Sequence, residues 1–226
     1  MAKKPPALEE HWAGRFDASA GMNDDAARNI GRTYGHSERR AVFQELVARH
    51  LPAPARSVLD VGCGSGTYFD IYERLGLRIQ GLDFSEAQLA IAAQRAPGSR
   101  LFRGELQEAP VELEADLVVC IGVIQVVTDL AAFAQSLAKR VRPGGIAIIS
   151  HLEKKSVWPG RLLDPHLRFY TRAHIRRLFA ARLREKECRR FYPMPPPFHI
   201  LRPILYRMQI PLLNHGNMFV FASERT

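Results

Sequence analysis

The most informative stretch of this chain is Val58-Leu59-Asp60-Val61-Gly62-Cys63-Gly64-Ser65-Gly66-Thr67-Tyr68. Apolar residues surround one carboxylate, and glycines then alternate with small residues ahead of a run compatible with a helix. This pattern predicts a strand, a tight loop and a helix. Glycine permits positive φ and close approach of a ligand to the main chain, and the N–H groups that open a helix bind carboxylates or phosphates. The stretch therefore predicts a loop that holds a small molecule against bare backbone.

Two details of this glycine loop narrow the ligand. The dinucleotide fingerprint requires Gly-x-Gly-x-x-Gly, but counting from Gly62 the third glycine position holds Thr67. Asp60 stands at the end of the predicted strand, where its charge would repel a pyrophosphate and attract an ammonium group. A zwitterionic ligand therefore suits the loop better than a dinucleotide. A turn without a ligand is disfavoured, because closely spaced glycines weaken a fold.

The pattern hydrophobic-hydrophobic-Asp-hydrophobic-Gly-Cys-Gly-x-Gly resembles the first motif of class I S-adenosylmethionine (SAM) dependent methyltransferases. By that resemblance, the methionine part of SAM lies over Gly62, Gly64 and Gly66, with Asp60 near its amino end. The resemblance covers about residues 56–151 and becomes weak after them. It implies SAM as the cofactor and S-adenosylhomocysteine (SAH) as the product.

Composition limits the class of protein. At 226 residues the chain fits one α/β domain with additions. Cys63, Cys120 and Cys188 are an odd number without a Cys-x-x-Cys pair, so free thiols in a reducing cytoplasm are expected. The first residues are not an apolar leader, and no apolar run of roughly 18 residues occurs, which predicts no transmembrane segment. The net charge of +9 allows nucleic acid, an anionic substrate or a membrane surface as a partner.

Residues 1–55 precede the glycine loop and are expected to form an N-terminal helical lid. Apolar residues at helical spacing predict helices over residues 7–18 and 37–50. The polar segment between them, residues 21–35, contains Tyr34, a candidate for contact with the substrate. N-terminal helices of similar methyltransferases often close over the cofactor. The segment is therefore interpreted as a lid, with a plain connecting loop as the alternative.

A second acidic residue follows the next predicted strand. Residues 77–82 are a short apolar run that ends at Asp83, 21 residues beyond Gly62. At that place in a βαβ unit an acid accepts hydrogen bonds from both ribose hydroxyls of a nucleoside. Phe84 is expected to pack on the adenine face. The next residues, Ser85-Glu86-Ala87-Gln88, have the pattern of a capping box and predict the start of a helix.

Two more predicted strands complete the cofactor site. Residues 101–104 predict the third strand, and the resemblance implies that Glu105 after it receives the adenine amine. Residues 116–121 are an apolar run after an aspartate, as expected for a parallel strand covered on both faces. The predicted cofactor-binding residues are Asp60, Gly62, Gly64, Gly66, Asp83, Phe84, Glu105, Leu106 and Ile121.

The residues after the fourth strand bear on the methyl acceptor. Relatives that methylate amino groups of DNA or protein glutamine carry Asn/Asp/Ser-Pro-Pro-aromatic here, and C5-cytosine enzymes carry Pro-Cys. This chain has Cys120-Ile121-Gly122-Val123, which disfavours both nucleic-acid chemistries. Residues 122–127 resemble the small-molecule branch, as in ubiquinone and menaquinone biosynthesis, where a histidine often stands at the position of Gln125. Gln125 is a candidate for substrate binding, and the lost histidine puts a catalytic role there in doubt.

The whole pattern predicts an α/β fold: a Rossmann-like, doubly wound, mostly parallel seven-stranded sheet with an antiparallel last strand. A helix over residues 128–141 ends at Arg142-Pro143-Gly144-Gly145, ahead of a fifth strand over residues 146–150. The last predicted elements are a helix over residues 171–181 and strands over residues 184–192 and 217–223. Right-handed crossovers bring the carboxyl ends of the first and fourth strands together at a switch point, where cofactor and substrate meet.

The SAM-binding domain is expected over residues 56–226, with residues 193–216 as a substrate-cap insertion. The insertion begins with a proline-rich run and continues as an apolar stretch that includes Arg202 and Arg207. We expect it to form part of the wall of the acceptor pocket. Contact with a membrane surface and packing on its own domain are the alternatives.

Histidines supply the candidates for catalysis. Alignment of the reactants alone lowers the barrier of such an in-line displacement by about 7 to 11 kcal/mol. A general base helps a hydroxyl acceptor, and His151 after the fifth strand is the predicted catalytic base. His166, Tyr170 and His199 are candidate substrate-binding residues, each with a structural role as the alternative. No His-x-x-His pair or paired aspartates follow the fourth strand, so no metal is expected.

The sequence as a whole predicts a SAM-dependent methyltransferase that acts on an oxygen or nitrogen atom of a small, apolar or aromatic molecule. The arginine-rich run over residues 176–190 keeps an RNA methyltransferase as the alternative enzyme. A SAM-binding scaffold without turnover is the non-enzyme alternative, and a dehydrogenase is a weaker third. The oligomeric state is left open.

Overall fold

A computed structural model describes residues 12, 14, 17–18, 36–110, 112–154, 166–191, 200, 204, 208 and 216–224. Its strands are β1 (Ser57–Val61), β2 (Arg78–Asp83), β3 (Arg100–Arg103), β4 (Ala115–Cys120), β5 (Val141–Leu152), β6 (Arg184–Phe191) and β7 (Gly216–Ala222). The helices with complete described bounds are α1 (His36–His50), α2 (Phe69–Arg74), α3 (Glu86–Arg95), α4 (Leu130–Lys139) and α5 (Arg172–Phe179).

The strands form one seven-stranded sheet in the order β3-β2-β1-β4-β5-β7-β6. All neighbours are parallel except β7, which runs antiparallel to both β5 and β6. Asp60 at the centre of the sheet pairs with Gly81 of β2 on one side and Val119 of β4 on the other. The predicted fold class is therefore confirmed, and the chain reverses its direction of winding between β1 and β4.

The core lies on both faces of the sheet, because successive strand residues point to opposite sides. On one face, Val58 packs with Phe43 of α1 and Tyr72 of α2. On the other face, Leu59 packs in a second cluster with Phe133 of α4 and other residues of α4 and α5. Burial on both faces explains why the central strands read as continuous apolar runs.

Side-chain caps fix where several helices begin. Ser85 Oγ accepts a hydrogen bond from Gln88 N–H at 3.2 Å, which confirms the predicted cap of α3. Asp129 caps α4 in the same way, with Oδ1 accepting from Ala132 N–H at 3.0 Å. Ser85 follows the end of β2 after one residue, whereas Asp129 follows the end of β4 only after a longer segment, so the two caps set loops of different length at the carboxyl edge of the sheet.

The Arg-Pro-Gly-Gly stretch belongs to β5 and is not a turn ahead of it. β5 begins at Val141, which pairs with Ala115, and the register then shifts before Leu117 pairs with Ile146. Gly145 fits this irregular pairing because a Cβ on it would lie 2.8 Å from the Asp116 carbonyl oxygen. The extra residues of β5 make the pairing irregular at this point. The predicted helix over residues 128–141 is therefore too long, since α4 ends at Lys139 and β5 begins at Val141.

The predicted N-terminal lid and C-terminal insertion lie largely outside the described residues. The four described residues ahead of α1 are helical, and Trp12 among them is fully buried. Ile200, Ile204 and Met208 of the insertion are exposed. The division into a lid over 1–55, a domain over 56–226 and an insertion over 193–216 stays a prediction. Within the described part of the chain, no helix is both long and apolar enough to cross a membrane.

Candidate active site

The carboxyl ends of β1, β2 and β4 open into a cleft made of two adjoining cavities. The β3-side cavity has a volume of about 730 Å³ including its open mouth. The α1-side cavity, of about 810 Å³, lies between the glycine loop, α1 and the segment after β4. The residues that line both cavities are Trp12, Gly62, Asp83, Phe84, Val123 and Val126. Because the two cavities share these walls, one elongated ligand can occupy both.

Gly62 lies where the glycine loop passes the segment after β4. Its φ of +71° lies in the left-handed region, and a Cβ on it would stand 2.2 Å from Cγ2 of Val123. Its N–H donates to the Leu82 carbonyl oxygen at 2.7 Å, which ties the loop to the end of β2. Glycine meets these conditions without strain. The loop and the post-β4 segment therefore contact each other directly and form the floor of the cleft.

The Asp83 carboxylate joins the glycine loop to the start of α3. Its Oδ2 accepts a hydrogen bond from Gly64 N–H at 2.8 Å, and its Oδ1 accepts one from Ser85 N–H at 2.9 Å. The side chain lines both cavities. A carboxylate oxygen can accept two hydrogen bonds. A carboxylate fixed at this place suits a ligand that offers two neighbouring hydroxyl groups, as a ribose does.

Asp60 lies beneath the glycine loop, outside the lining of both cavities. Its side chain is 2% exposed, and Oδ2 accepts a hydrogen bond from the Tyr72 hydroxyl at 2.9 Å. Strand alternation explains the position, because Asp60 shares the sheet face of Val58, which the helices cover. The expected place of Asp60 near the amino end of a cofactor stays a prediction.

The β3-side cavity receives the other residues predicted for the nucleoside. Phe84, Glu105 and Leu106 all line it. The N–H of Gly104 donates to the Asp83 carbonyl oxygen at 3.0 Å, so the loop after β3 is held against the end of β2. The cavity thus combines an aromatic ring, apolar side chains and carboxylates, which is a suitable lining for a purine nucleoside.

The segment after β4 lines the α1-side cavity with Ile121 and Gln125. The N–H of Gly122 donates to Ser150 Oγ at 3.0 Å, which anchors the segment to β5. Gln125 is 8% exposed, and its Oε1 has no hydrogen-bond partner among the described residues. An unsatisfied buried polar atom costs about 1 to 3 kcal/mol. Because this oxygen is covered, a ligand group would reach it only after the Gln125 side chain turns toward the cavity.

Arg39 of α1 is the one cationic side chain among the described residues that line the two cavities. Its Nη1 would lie 3.8 Å from a Cβ on Gly122. Carboxylates line the opposite end, where Asp83, Glu105 and Asp129 border the β3-side cavity. This separation of charge fits a ligand with hydroxyl and amino groups at one end and an anionic group at the other.

His151 lies inside the sheet and does not line either cavity. It is 1% exposed and stacks on Phe219 with 5.6 Å between ring centroids. Its Nδ1 lies 3.0 Å from the Leu152 carbonyl oxygen, and its Nε2 lies 3.1 Å from Asn217 Nδ2. A carbonyl requires a donor and an amide N–H requires an acceptor, so the proton sits on Nδ1 and the Nε2 lone pair is engaged.

The sequence predicted that His151 lies on the rim of the cleft, whereas the structure places it inside the sheet. β5 continues to Leu152, where His151 pairs with Asn217 of β7, so the residue is covered by the sheet. Burial lowers the pKa of His151 from 6.5 to about 4, against the raising effect of the Leu152 carbonyl. The imidazole is neutral near pH 7, but its lone pair is directed at Asn217 and away from the cleft.

The remaining predicted substrate residues are dispersed. His166 is exposed, and Tyr170 is half-buried and stacks on His174 with 5.5 Å between ring centroids. Neither lines the two cavities, although Leu167 between them does. Tyr34 and His199 lie outside the described residues. In the described ranges, no group of three or more His, Cys, Asp or Glu side chains is arranged to hold a metal ion.

Sequence reasoning did not predict Trp12, Arg39 and Leu167 as residues of the cleft. Each comes from a segment outside the motifs, and each enters the cleft only through tertiary contacts. Helical periodicity offered a signal for Trp12, since it placed that residue on an apolar face. Arg39 had no comparable signal, because a charged residue in the first turn of a helix is ordinarily solvated.

The sheet order and the cleft define a Rossmann-like domain that binds a nucleoside at its switch point. A family model described as a methyltransferase domain matches residues 34–182. The chain belongs to that family and has the fold and the first motif of class I SAM-dependent methyltransferases. SAM is the cofactor of this class.

Individual relatives agree with this assignment. A probable SAM-dependent methyltransferase of Mycolicibacterium smegmatis is 33% identical over 153 residues, which cover 67% of this chain and 56% of that protein. A ubiquinone biosynthesis O-methyltransferase of Methylobacterium nodulans is 28% identical over 163 residues, which cover 66% of each. This chain thus spans between about half and two thirds of the length of these curated relatives.

A solved structure shows the same fold at low sequence identity. The N-methyltransferase NodS from Bradyrhizobium japonicum, in complex with SAH, superimposes with a TM-score of 0.67 at 12% identity. The superposition covers 93% of this chain and 97% of NodS. This likeness shows that the two chains share a fold.

Proposed function

We propose that this protein transfers a methyl group from SAM to an oxygen or nitrogen atom of a small, apolar or aromatic molecule. The observation that carries the proposal is the Asp83 carboxylate, which is bound to Gly64 N–H and lines both cavities. A fixed acid beside a bare glycine loop suits a cationic nucleoside. The family assignment supports the chemistry, and relatives such as the ubiquinone O-methyltransferase support a small acceptor.

The charge distribution of the cleft supports one orientation of the cofactor. The adenosine part occupies the β3-side cavity, with Asp83 accepting from the ribose hydroxyls, Phe84 against the adenine and Glu105 near its amine. The methionine part lies over the glycine loop and extends into the α1-side cavity. Arg39, the cation of that cavity, pairs with the carboxylate of the methionine part.

The chain contributes mainly alignment to the reaction. When bound, SAM supplies a methyl group on a sulfonium, which a lone pair of the acceptor displaces in line. Holding two reactants in this geometry lowers the barrier by about 7 to 11 kcal/mol. Ile121, Val126 and Leu167 line the α1-side cavity with apolar surface. Once the Gln125 side chain turns toward the cavity, its Oε1 accepts a hydrogen bond from the O–H or N–H group of the acceptor and so directs the lone pair of the acceptor.

The buried position of His151 bears on the choice of acceptor. Its Nε2 lone pair faces Asn217 at 3.1 Å, so it is not available to remove a proton in the cleft. We therefore infer that His151 supports the end of β5, and that the acceptor is an amine or a hydroxyl acidic enough to react without a base from the chain. Tyr34, His166, Tyr170, His199 and the insertion over 193–216 stay proposed contacts of the acceptor.

Methylation of extract fractions with labelled SAM tests this function. The wild-type protein is incubated with labelled SAM and fractionated extract of its source, and Asp83→Ala is the matched control. We expect label in a small organic molecule with the wild type and little label with the variant. Label found only in RNA or protein would contradict the proposal, as would no transfer to any fraction.

The compartment is part of the proposal as well. All three cysteines, Cys63, Cys120 and Cys188, are free thiols in the structure. Free thiols are usual where glutathione and thioredoxin keep proteins reduced. These thiols support action in the cytoplasm.

A further inference from the structure

Arg140 extends from the end of α4 into the loop that follows β3. It is the residue directly after α4, and its side chain is 7% exposed. Its guanidinium donates hydrogen bonds to three main-chain carbonyl oxygens of that loop. Nη2 donates to Ala109 at 2.9 Å and to Leu106 at 3.3 Å, and Nη1 donates to Pro110. One side chain therefore connects the helix after β4 to the loop after β3.

A buried guanidinium is stable only when acceptors surround it. The planar fork of arginine reaches several carbonyls at once, whereas an ammonium group is a compact point charge on a flexible stem. Among the described residues of the loop, three main-chain hydrogen bonds are internal: Glu108 N–H donates to the Glu105 carbonyl at 3.1 Å, Leu113 N–H to the Pro110 carbonyl at 3.2 Å and Glu114 N–H to the Glu112 carbonyl at 2.9 Å. The shape of the loop therefore depends on Arg140.

The same loop lines the β3-side cavity with Glu105, Leu106 and Gln107, whereas Arg140 does not touch the cavity. Leu106 is the direct link, because Arg140 binds its carbonyl while its side chain lines the cavity. We propose that Arg140 is a positioning residue for adenine: it fixes the loop on which Glu105 and Leu106 meet the base. This inference rests on the proposed function, since it assumes that the cavity holds the adenine of SAM.

The inference predicts a loss that is specific to the base. SAH is compared with S-inosylhomocysteine, in which a carbonyl oxygen replaces the adenine amine that Glu105 is placed to accept. In the wild type, SAH should bind more tightly than S-inosylhomocysteine. Arg140→Met should weaken SAH about tenfold, since a hydrogen bond to a well-placed group contributes on the order of tenfold in affinity. It should change S-inosylhomocysteine by less than about threefold, so the preference for the amine falls.

Two further variants separate positioning from general destabilisation. Arg140→Lys keeps the charge but cannot span three carbonyls, so it should lose most of the same preference, and it serves as the test variant if Arg140→Met does not fold. Arg142→Met is the matched control, because Arg142 donates to Ser57 Oγ at 3.2 Å at the opposite end of β1. It should keep the wild-type preference for SAH over S-inosylhomocysteine, even if its melting temperature falls.

The outcomes distinguish this inference from the proposed function. Isothermal titration gives both dissociation constants for each folded variant. Equal weakening of both ligands in Arg140→Lys, or no change in either, would overturn the positioning role while the proposed function stands. Failure of the wild type to bind SAH would overturn the proposed function and this inference with it.

Discussion

The two cavities share Trp12, the post-β4 segment and the residues at the end of β2 but differ in their remaining walls. The β3-side cavity adds the short segment after β3 and Phe133 of α4, whereas the α1-side cavity adds Arg39 of α1, more of the glycine loop and Leu167. The segment after β3 follows a strand that the sequence predicts, but Arg39 and Leu167 reach their cavity only through tertiary structure. The proposed adenosine half of the site is therefore encoded more locally than the half that would hold the methionine part and the acceptor.

The two halves also differ in what holds them. In the nucleoside half, the Asp83 carboxylate accepts a hydrogen bond from Gly64 N–H, and the Arg140 guanidinium donates one to the Ala109 carbonyl oxygen. The acceptor half depends on Arg168, whose N–H donates to the Gln125 carbonyl at 2.9 Å and whose Nη1 donates to the Val127 carbonyl at 2.8 Å. Changes in segment 166–170 should thus alter the acceptor and leave the cofactor in place.

The largest effect is expected at Gly62, which belongs to both halves. Gly62→Ala places a Cβ 2.2 Å from Val123 Cγ2 at a φ of +71°. The clash and the left-handed backbone together should lower the free energy of unfolding by about 3 kcal/mol or more. Urea denaturation measures this loss, and titration should show no SAH binding to the remaining folded protein.

Gly98→Ala is the control for that change, since nothing lies within 4 Å of a Cβ at Gly98. It should alter the free energy of unfolding by no more than about 0.5 kcal/mol. If the two alanine variants were equally stable, the close contact between the glycine loop and the post-β4 segment would not exist.

A second effect, on how stability depends on pH, concerns His151, which lies inside the sheet and not in the cleft. Burial lowers the pKa of His151 from 6.5 to about 4, so between these values the unfolded chain binds a proton that the folded chain does not. The protein should therefore lose about 3 kcal/mol of stability as the pH falls from 6.5 to 4. Urea denaturation at several pH values measures the slope.

Variants at two histidines test whether His151 causes this dependence of stability on pH. His151→Gln removes the titrating group and should reduce the dependence on pH, whereas His166→Gln changes an exposed side chain and should leave it as it is. Unchanged slope in His151→Gln would mean that another group causes the acid instability. If His151→Gln lost SAH binding while it kept its full stability, His151 would instead have a role in the cleft.

The smallest expected effect concerns Arg39, the cation of the α1-side cavity. If Arg39 pairs with the carboxylate of the cofactor, Arg39→Met should weaken SAH about tenfold, the size of one charge-assisted hydrogen bond. The affinity for 5′-methylthioadenosine, which lacks the amino-acid part, should not change. Titration of both ligands measures the difference, and equal weakening would place the role of Arg39 elsewhere.

The sequence was sufficient where the signal is local. The glycine loop, the cap at Ser85 and the acid at Asp83 each follow a strand within a few residues, and spacing alone located them. The seven-stranded sheet was likewise predictable, because the apolar runs and connecting helices follow the βαβ pattern. These are the features of the nucleoside half.

The sequence was insufficient where distant segments meet. Alternation with Val58 predicts that Asp60 points to the covered face of β1. The hydroxyl that binds its carboxylate belongs to Tyr72 of α2, a contact that only the folded structure shows. The sequence predicted that the fifth strand ends at Ser150 and that His151 lies on the rim of the cleft. Pairing with β7 extends β5 to Leu152, and the sequence alone does not show this pairing. Arg39 and Arg140 carry no motif, since their roles depend on what lies opposite them after folding.

Titration of SAH into the wild-type protein and into Asp83→Ala tests the central claim most directly. The account predicts one saturable site per chain in the wild type and an affinity about a hundredfold lower in the variant, because two charge-assisted hydrogen bonds are lost. Absence of binding to the wild type, or equal affinity in the two proteins, would contradict it.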